Sequence, residues 1–209
     1  MSLKLDLDHK IEEVELLICE LQQLDNKGGN VKLIGVLKST VVMMLYNVIE
    51  SMISSVLHEV HDHVSVVEYN KLKGKLKELF VGYHIVTNTK ENARKIDSIV
   101  SDDLRFPSFG DYSDKMKLFS GNLDARKIDN ILNKYGIGRI VGESKEKLLF
   151  VKNQRNKLAH GEISYIEACR DKTLNEIIEY KVSVNDVLNE VIRSAERYID
   201  RRLFLENTT

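Results

Sequence analysis

The chain has 209 residues, enough for one large domain or two small ones, and its 43% hydrophobic content can build a core without disulfides or metals. Its 31 basic and 32 acidic residues nearly cancel, which excludes a global field that would draw the protein onto nucleic acid or an anionic membrane. A polyanionic partner would therefore have to meet a local basic patch.

Cysteine usage and hydropathy indicate the compartment. Cys19 and Cys169 are far apart and lack metal-ligand spacing, which predicts buried thiols in a reducing environment. The N-terminal M-S-L-K-L-D-L-D places charges where a signal peptide needs its apolar region, and the most apolar run, Ser39 to Ile49, is shorter than a membrane span. We expect a cytoplasmic protein with no membrane partner.

The pattern of apolar residues predicts an all-α fold. A single proline, Pro107, leaves the rest of the chain free to be helical, and we expect one helical domain over residues 1–209. Apolar residues at helical spacing predict a first helix over about residues 8–25, packed on the other helices. A longer helix follows from Val31 to about His63, and its apolar residues cover more than one face, as expected at the centre of the core.

Capping residues and glycines predict the later helices. Ser65 and Glu68 have capping-box spacing and predict a helix start, a short helix is expected around residues 91–100, and an irregular, aromatic-bearing loop near residues 101–120. Gly136 and Gly161 are predicted to end two further helices, the second of which begins at about residue 144. Two more pairs have capping-box spacing and predict two separate helices: Thr173 with Glu176, and Ser183 with Asp186.

The segment V-K-N-Q-R-N-K-L-A-H-G-E, residues 151–162, places versatile polar side chains near a predicted helix end. Cleavage of RNA without a metal requires a base for the 2′-hydroxyl proton, a cation against the charge growing on phosphorus, and an acid for the departing 5′-oxygen. Histidine titrates near neutrality and arginine holds two phosphate oxygens through its planar fork, so His160 and Arg155 suit these roles. Asn156, four residues before His160 on one helix face, is suited to orient the imidazole.

The same segment predicts an oligomeric state. One histidine can hardly act as acid and base in a single step, whereas a two-fold dimer that joins this helix to its copy would supply two histidines and two arginines around one phosphate. A homodimer is therefore expected. The alternative is that these polar residues only decorate the solvated end of a surface helix.

Basic residues are concentrated near the motif. Between residues 139 and 160, six Lys or Arg stand against two Glu, an excess of four positive charges. The six are Arg139, Lys145, Lys147, Lys152, Arg155 and Lys157. Lys152 and Lys157 are therefore candidate ligands of an RNA backbone, and phosphate contacts rather than base stacking should dominate, because Phe150 is the only aromatic residue among them.

Charged residues outside this segment are further candidates. Glu50 interrupts the apolar core helix, so it either belongs to the substrate-binding site, where it holds an active-site arginine or histidine, or lies on a solvated stripe with Asn47 and Ser54. Arg126 and Asp124 follow S-G-N and are candidates to reach the same groove. The alternative for Asp124 is a helix-start aspartate that interacts with the helix dipole.

A histidine cluster raises the question of a metal. His58 shares a helix face with His61 and Asp62, and His63 and Glu59 lie close in sequence. The cluster lacks an H-E-x-x-H pattern and a distant set of matching ligands, so we expect no metal or other cofactor.

Several segments together resemble the HEPN superfamily. R-N-K-L-A-H-G is similar to its R-x(4–6)-H signature, and Asn156 matches the polar residue that follows the arginine. L-Y-N-V-I-E-S, F-S-G-N-L-D-A-R-K-I, K-Y-G-I and the residues after the motif resemble a prokaryotic stand-alone subgroup, the MAE-like HEPN proteins, over roughly residues 31–199. The resemblance implies an antiparallel helical bundle, a dimer with two motifs face to face, and metal-independent RNA cleavage in members that retain the motif.

Carried onto this chain, the resemblance implies that Arg155 binds the scissile phosphate, His160 transfers the proton, and Asn156 orients or binds. It further implies RNA as a partner, a toxin–antitoxin or antiviral defence setting, and an antitoxin or other regulatory protein as a second partner. HEPN domains also include non-cleaving members. The alternative function is therefore a helical module that binds RNA, a nucleotide or a protein through the same groove.

Overall fold

The protein is described by a computed structural model that covers residues 2–28, 30–85, 91–101, 103–119, 121–139 and 145–206. These residues form nine α-helices and one short 3-10 helix, and their β-structure is limited to an isolated bridge between Leu72 and Leu205. The predicted all-α fold is confirmed.

Helices occupy most of this part of the chain. The first five are α1 Leu3–Asn26, α2 Val31–Ser65, α3 Gly74–His84, α4 Asn92–Val100 and α5 Phe109–Met116, with the 3-10 helix Tyr69–Lys71 between α2 and α3. The others are α6 Ala125–Tyr135, α7 Lys145–Ala159, α8 Tyr165–Ala168 and α9 Leu174–Asp200.

Helix ends predicted from local capping chemistry are confirmed. Gly136 follows α6 with φ +81°, and Gly161 follows α7 with φ +68°, both in the left-handed region that favours glycine. At the start of α9, the Thr173 N–H donates to the Glu176 carboxylate and the Glu176 N–H donates to the Thr173 hydroxyl. This reciprocal pair is the predicted capping box.

The helix start predicted at Ser65 is wrong. α2 continues through Ser65, whose hydroxyl donates to a carbonyl one turn earlier, and α3 begins only at Gly74. The residues between the two helices are held by a distant part of the chain, because the Lys73 N–H donates to the Phe204 carbonyl at 2.8 Å. The chain between α2 and α3 is therefore fixed in part by a long-range contact that the capping pattern does not contain.

Two other predicted boundaries differ from the structure. α9 runs without interruption through Ser183, which is buried inside it, so the separate helix predicted to begin there is wrong. The loop expected near residues 101–120 is irregular in part but contains α5, which Ser108 caps by accepting the Asp111 N–H.

The N-terminal helix also differs from its predicted bounds. α1 begins at Leu3 rather than near residue 8, because the Ser2 hydroxyl accepts the Leu5 N–H and the added turn buries Leu7. The predicted burial of both cysteines is correct for Cys169 and wrong for Cys19, which is exposed on α1.

The described residues group into two compact units, each discontinuous in sequence. The first unit draws on residues 1–53, 121–128 and 140–192, and the second on residues 54–120, 129–139 and 193–209. α2, α6 and α9 contribute residues to both units. The single domain over residues 1–209 stays a prediction.

α2 is the most apolar helix of the described chain that is also long enough to span a bilayer. It contains an 18-residue window with a mean hydropathy of 1.5, contrary to the prediction from the Ser39 to Ile49 run that no stretch approaches a membrane span. Of that window, 56% is buried inside the protein, and Val41 and Leu45 are completely inaccessible. α2 has the burial expected of a core helix in a helical domain.

Candidate active site

The polar motif lies at the C-terminal end of α7, and a rigid turn fixes that end. The His160 N–H donates to the Asn156 carbonyl, the Gly161 N–H to Leu158 and the Glu162 N–H to Lys157, at 2.9 to 3.1 Å. Together with the positive φ of Gly161, the last two bonds form a Schellman motif. His160 is therefore the last residue before the chain reverses, and its side chain is exposed.

Arg155 lies one turn earlier and is half-buried. Its guanidinium carbon is 4.7 Å from the centroid of the Tyr46 ring on α2, a cation–π contact. The backbone of Gly121 approaches so closely that an added Cβ would lie 2.5 Å from Nη1 of Arg155. Nη1 also donates to Oδ1 of Asn156 at 3.2 Å. Besides its neighbour Asn156, the arginine is held by two other stretches of the chain.

Tyr46 is itself fixed in place. Its side chain is completely buried, and its hydroxyl accepts the Leu123 N–H at 3.2 Å and donates to Oε1 of Glu50 at 3.4 Å. Burial raises the pKa of the Tyr46 hydroxyl, and the Glu50 carboxylate raises it further, while the Leu123 N–H and Arg155 act in the opposite direction. The phenol therefore stays protonated near neutral pH and remains a donor to Glu50.

Glu50 is half-buried on α2, one turn after Tyr46. Its carboxylate accepts the hydrogen bond from the tyrosine whose ring carries Arg155, so Glu50 is linked to the arginine through Tyr46. Of the two sequence-based interpretations, this placement favours the one in which Glu50 supports the active-site arginine. Its predicted contact with substrate stays a prediction.

Asn156 makes different contacts from those expected. Its Nδ2 donates to Oδ1 of Asn122 at 2.8 Å, and its Oδ1 accepts from Arg155. The His160 side chain makes no hydrogen bond to any residue that the structure describes. The amide of Asn156 thus bridges Asn122 and the arginine, and the predicted orientation of the imidazole by Asn156 is absent from this arrangement.

The predicted phosphate ligands fall into two groups. Nζ of Lys152 is paired with Oδ2 of Asp124 at 3.2 Å, with 17% and 20% of the two side chains exposed. Oδ1 of Asp124 accepts the Lys127 N–H at the start of α6, so the interpretation of Asp124 as a helix-start aspartate is confirmed. Lys157 and Arg126 are exposed and form no ion pair with described residues.

The local positive charge is smaller than the count of residues predicted. Besides Lys152, Lys147 is also neutralised, because its amine lies 3.1 Å from the Glu179 carboxylate. Among the predicted basic residues of α7 whose side chains the structure describes, Arg155 and Lys157 have no described carboxylate partner. Glu143 lies outside the described residues.

The histidine cluster on α2 belongs to the second unit and does not form a metal site within the described chain. His58 pairs with Asp62 at 3.1 Å, and His63 lies 3.6 Å from Glu59, all on exposed side chains. His61 faces inward and is completely buried. His58 and His61 were predicted to share one helix face, but His58 is exposed to solvent and His61 lies in the core.

Three residues of this site were not singled out from the sequence: Tyr46, Gly121 and Asn122. Each lies in a segment that carried the family resemblance, Tyr46 in L-Y-N-V-I-E-S and the other two in F-S-G-N-L-D. Those segments were the signal for these residues, because both resemble the HEPN subgroup together with the motif although both lie far from it in the chain. All contacts described for Arg155, Tyr46 and Asn156 lie within the first unit.

Comparison with known proteins gives one match. Residues 1–204 match the family model described as MAE_28990-like HEPN, which is nearly the whole chain. No curated protein and no solved structure matches the chain.

Proposed function

The chain belongs to the MAE_28990-like HEPN family, and from this premise we propose that it is a metal-independent endoribonuclease. The observation that carries the proposal is the end of α7, where a half-buried arginine held by two other segments precedes an exposed histidine on a rigid turn. An arginine and a histidine in one motif are the cation and the proton carrier that RNA cleavage requires.

In the proposed reaction, the 2′-oxygen of one ribose attacks the adjacent phosphorus while its proton moves to a neutral histidine. The bond from phosphorus to the 5′-oxygen breaks, and that oxygen takes a proton from a second, protonated histidine. The products are a 2′,3′-cyclic phosphate and a 5′-hydroxyl. Arg155 binds two oxygens of the phosphate and stabilises the charge that grows on them.

Two histidines require two copies of the chain. We infer a homodimer in which the end of α7 faces its copy, so that each protomer supplies one His160 and one Arg155 to the same strand. Lys157 and Arg126 are exposed and contact the flanking phosphates, whereas Lys152 must first leave Asp124. RNA is the substrate, and an antitoxin or other regulatory protein is a second partner in a cytoplasmic toxin or antiviral defence system.

The first test is cleavage of single-stranded RNA in the presence of EDTA. Wild-type protein should cut the RNA and leave cyclic phosphate ends, and His160→Ala or Arg155→Ala should lower the rate by at least about 100-fold, because general acid–base and electrostatic catalysis each contribute that much. His58→Ala is the matched control, since His58 is also an exposed histidine but lies in the other unit. Cleavage that survives both motif substitutions would refute the mechanism.

A non-catalytic binding module is the alternative. The contacts of Asn156 favour it, because this amide is engaged with Asn122 and Arg155 rather than with the imidazole. In that case both motif substitutions weaken RNA, nucleotide or protein binding, and no cleavage appears at any protein concentration.

A further inference from the structure

The contacts of Arg155 join segments that are far apart in the chain. Tyr46 comes from the middle of α2, Gly121 precedes α6, and Asn156 follows the arginine on α7. The proposed catalytic roles account for Arg155 and His160 but give no role to Tyr46 or Gly121. These two residues contact the guanidinium and leave His160 untouched, so any role they have acts through the arginine.

The geometry of the contact restrains the arginine without consuming its hydrogen-bond donors. A guanidinium carries its five N–H donors around its rim, while a cation–π contact uses the attraction between the cation and the ring face. Arg155 lies over the Tyr46 ring, and within the described chain its hydrogen bonding is limited to the one from Nη1 to Asn156. Donors on the rim therefore remain for a ligand.

Tyr46 is suited to act as a fixed support. The ring is completely buried, and the hydroxyl is bonded to the main chain at Leu123 as well as to Glu50. A mobile arginine side chain loses conformational freedom when it binds a phosphate, whereas one already held over a buried ring loses less. The support therefore lowers the entropic cost of phosphate binding.

We propose that Tyr46 is a positioning residue, which holds the guanidinium of Arg155 so that its rim meets the scissile phosphate. This role rests on the proposed nuclease function and adds a determinant from α2 to the motif on α7. Gly121 contributes to the same positioning, because a residue without a Cβ leaves the space that the guanidinium occupies. Tyr46 touches neither the phosphate nor the attacking oxygen.

A double-mutant cycle on RNA binding tests the proposal. The probe is a single-stranded 2′-O-methyl oligonucleotide, which carries the phosphates but lacks the attacking hydroxyl, so binding is measured without cleavage. Tyr46→Leu should weaken binding about 5- to 10-fold and Tyr46→Phe by less than about 2-fold, because the phenylalanine keeps the ring. In the Arg155→Ala background, Tyr46→Leu should have no further effect.

Two additional variants distinguish the positioning of Arg155 from a general loss of folding. Tyr112→Leu removes another almost completely buried tyrosine, from the second unit, and should lower the melting temperature without changing the affinity for the oligonucleotide. Gly121→Ala leaves Tyr46 intact and pushes the guanidinium from another direction, since its Cβ would lie 2.5 Å from Nη1. It should weaken binding in the wild-type background and leave binding unchanged in the Arg155→Ala background, while strain at the positive φ lowers the melting temperature in both.

The outcomes separate this inference from the proposed function. Additive effects of Tyr46→Leu or Gly121→Ala with Arg155→Ala overturn the positioning role, even if the wild-type protein cleaves unmodified RNA. Coupled effects with no cleavage support the positioning role and overturn the nuclease. Failure of the wild-type protein to bind the oligonucleotide overturns the positioning role, and the nuclease proposal is overturned with it if unmodified RNA is also left uncut.

Discussion

His61 shows how a single residue can combine burial with complete hydrogen bonding. Its Nδ1 lies 2.8 Å from the Pro107 carbonyl and its Nε2 lies 2.8 Å from the Tyr135 hydroxyl. A neutral imidazole satisfies both contacts, by donating from Nδ1 and accepting at Nε2. The pKa of His61 is lowered to about 4, mainly by burial and to a smaller extent by nearby His58, while the Pro107 carbonyl and Asp62 act in the opposite direction.

The stability of the protein should therefore depend on this residue in mild acid. The pKa of His61 is about 4 in the folded state against 6.5 for the ordinary side chain, so the stabilisation is present above about pH 6.5 and is lost as the pH falls towards 4. The loss amounts to at most about 3 kcal/mol. Urea unfolding of wild-type protein and His61→Phe between pH 7 and 4 measures it.

The acid dependence of stability is compared between His61→Phe and a control variant. His61→Phe should be less stable at pH 7, because the Pro107 carbonyl and the Tyr135 hydroxyl lose their partner, but its stability should fall less with acid. His9→Ala removes an exposed histidine of α1, in the other unit, and should keep the wild-type slope. An undiminished acid slope in His61→Phe would contradict the assignment.

At the level of elements, the N-terminus of α6 holds a lysine of α7 that the proposed nuclease would use to bind RNA. Asp124 caps α6 through Oδ1 and pairs with Lys152 through Oδ2, so one carboxylate stabilises a helix and neutralises a predicted phosphate ligand. Asparagine caps helices about as well as aspartate. Asp124→Asn therefore isolates the ion pair from the cap.

Asp124→Asn should lower the free energy of unfolding by about 0.5–1 kcal/mol, the usual range of such a pair. It should also strengthen RNA binding and steepen its salt dependence by about one counterion, because Lys152 becomes available to a phosphate. Salt titrations of RNA affinity measure both effects. Glu179→Gln frees Lys147 in the same way and serves as a control for the change in net charge, and equal gains in the two variants would contradict a specific role for Lys152.

Elements whose ends depend on neighbouring residues were predicted well from the sequence. The glycines after α6 and α7 and the capping box at Thr173 act within one turn, so their spacing in the sequence contains the whole interaction. Ser65 had the same kind of spacing but is the last residue of α2, and the segment after it is bonded to the distant Phe204 through Lys73. Contacts of that kind leave no local pattern.

The candidate site also contains features that a short sequence motif predicts and others that depend on packing. Arg155, Asn156 and His160 were identified because they lie together in one short motif, whereas the support of Arg155 by Tyr46 depends on how α2 packs near α7. The pairing of Lys152 with Asp124 was missed for the same reason, and a count of charges over one segment therefore overestimated its positive field.

At the scale of the whole molecule, the proposed mechanism requires association. Specific activity should fall when the protein is diluted below the dissociation constant of the dimer, by about twofold for each twofold dilution far below it, because monomers carry half a site. RNase assays over a dilution series, with sedimentation measured at the same concentrations, would test this dependence. His160→Ala should sediment like the wild type, and a constant specific activity of a monomeric species would rule out the composite site.

Among the encoded residues, only glycine fits at position 121 without displacing the Arg155 side chain. Its φ of +71° suits glycine and is tolerated by asparagine, yet asparagine, like every other encoded residue, carries the Cβ that would displace the guanidinium of Arg155. Because the displaced group is the mobile end of a side chain, a Gly121→Asn variant can keep the fold by moving the guanidinium off the Tyr46 ring, whereas other residues would also strain the backbone at this φ. A library screened only for soluble protein would therefore accept asparagine at this position, and a screen for the proposed RNA cleavage would reject it.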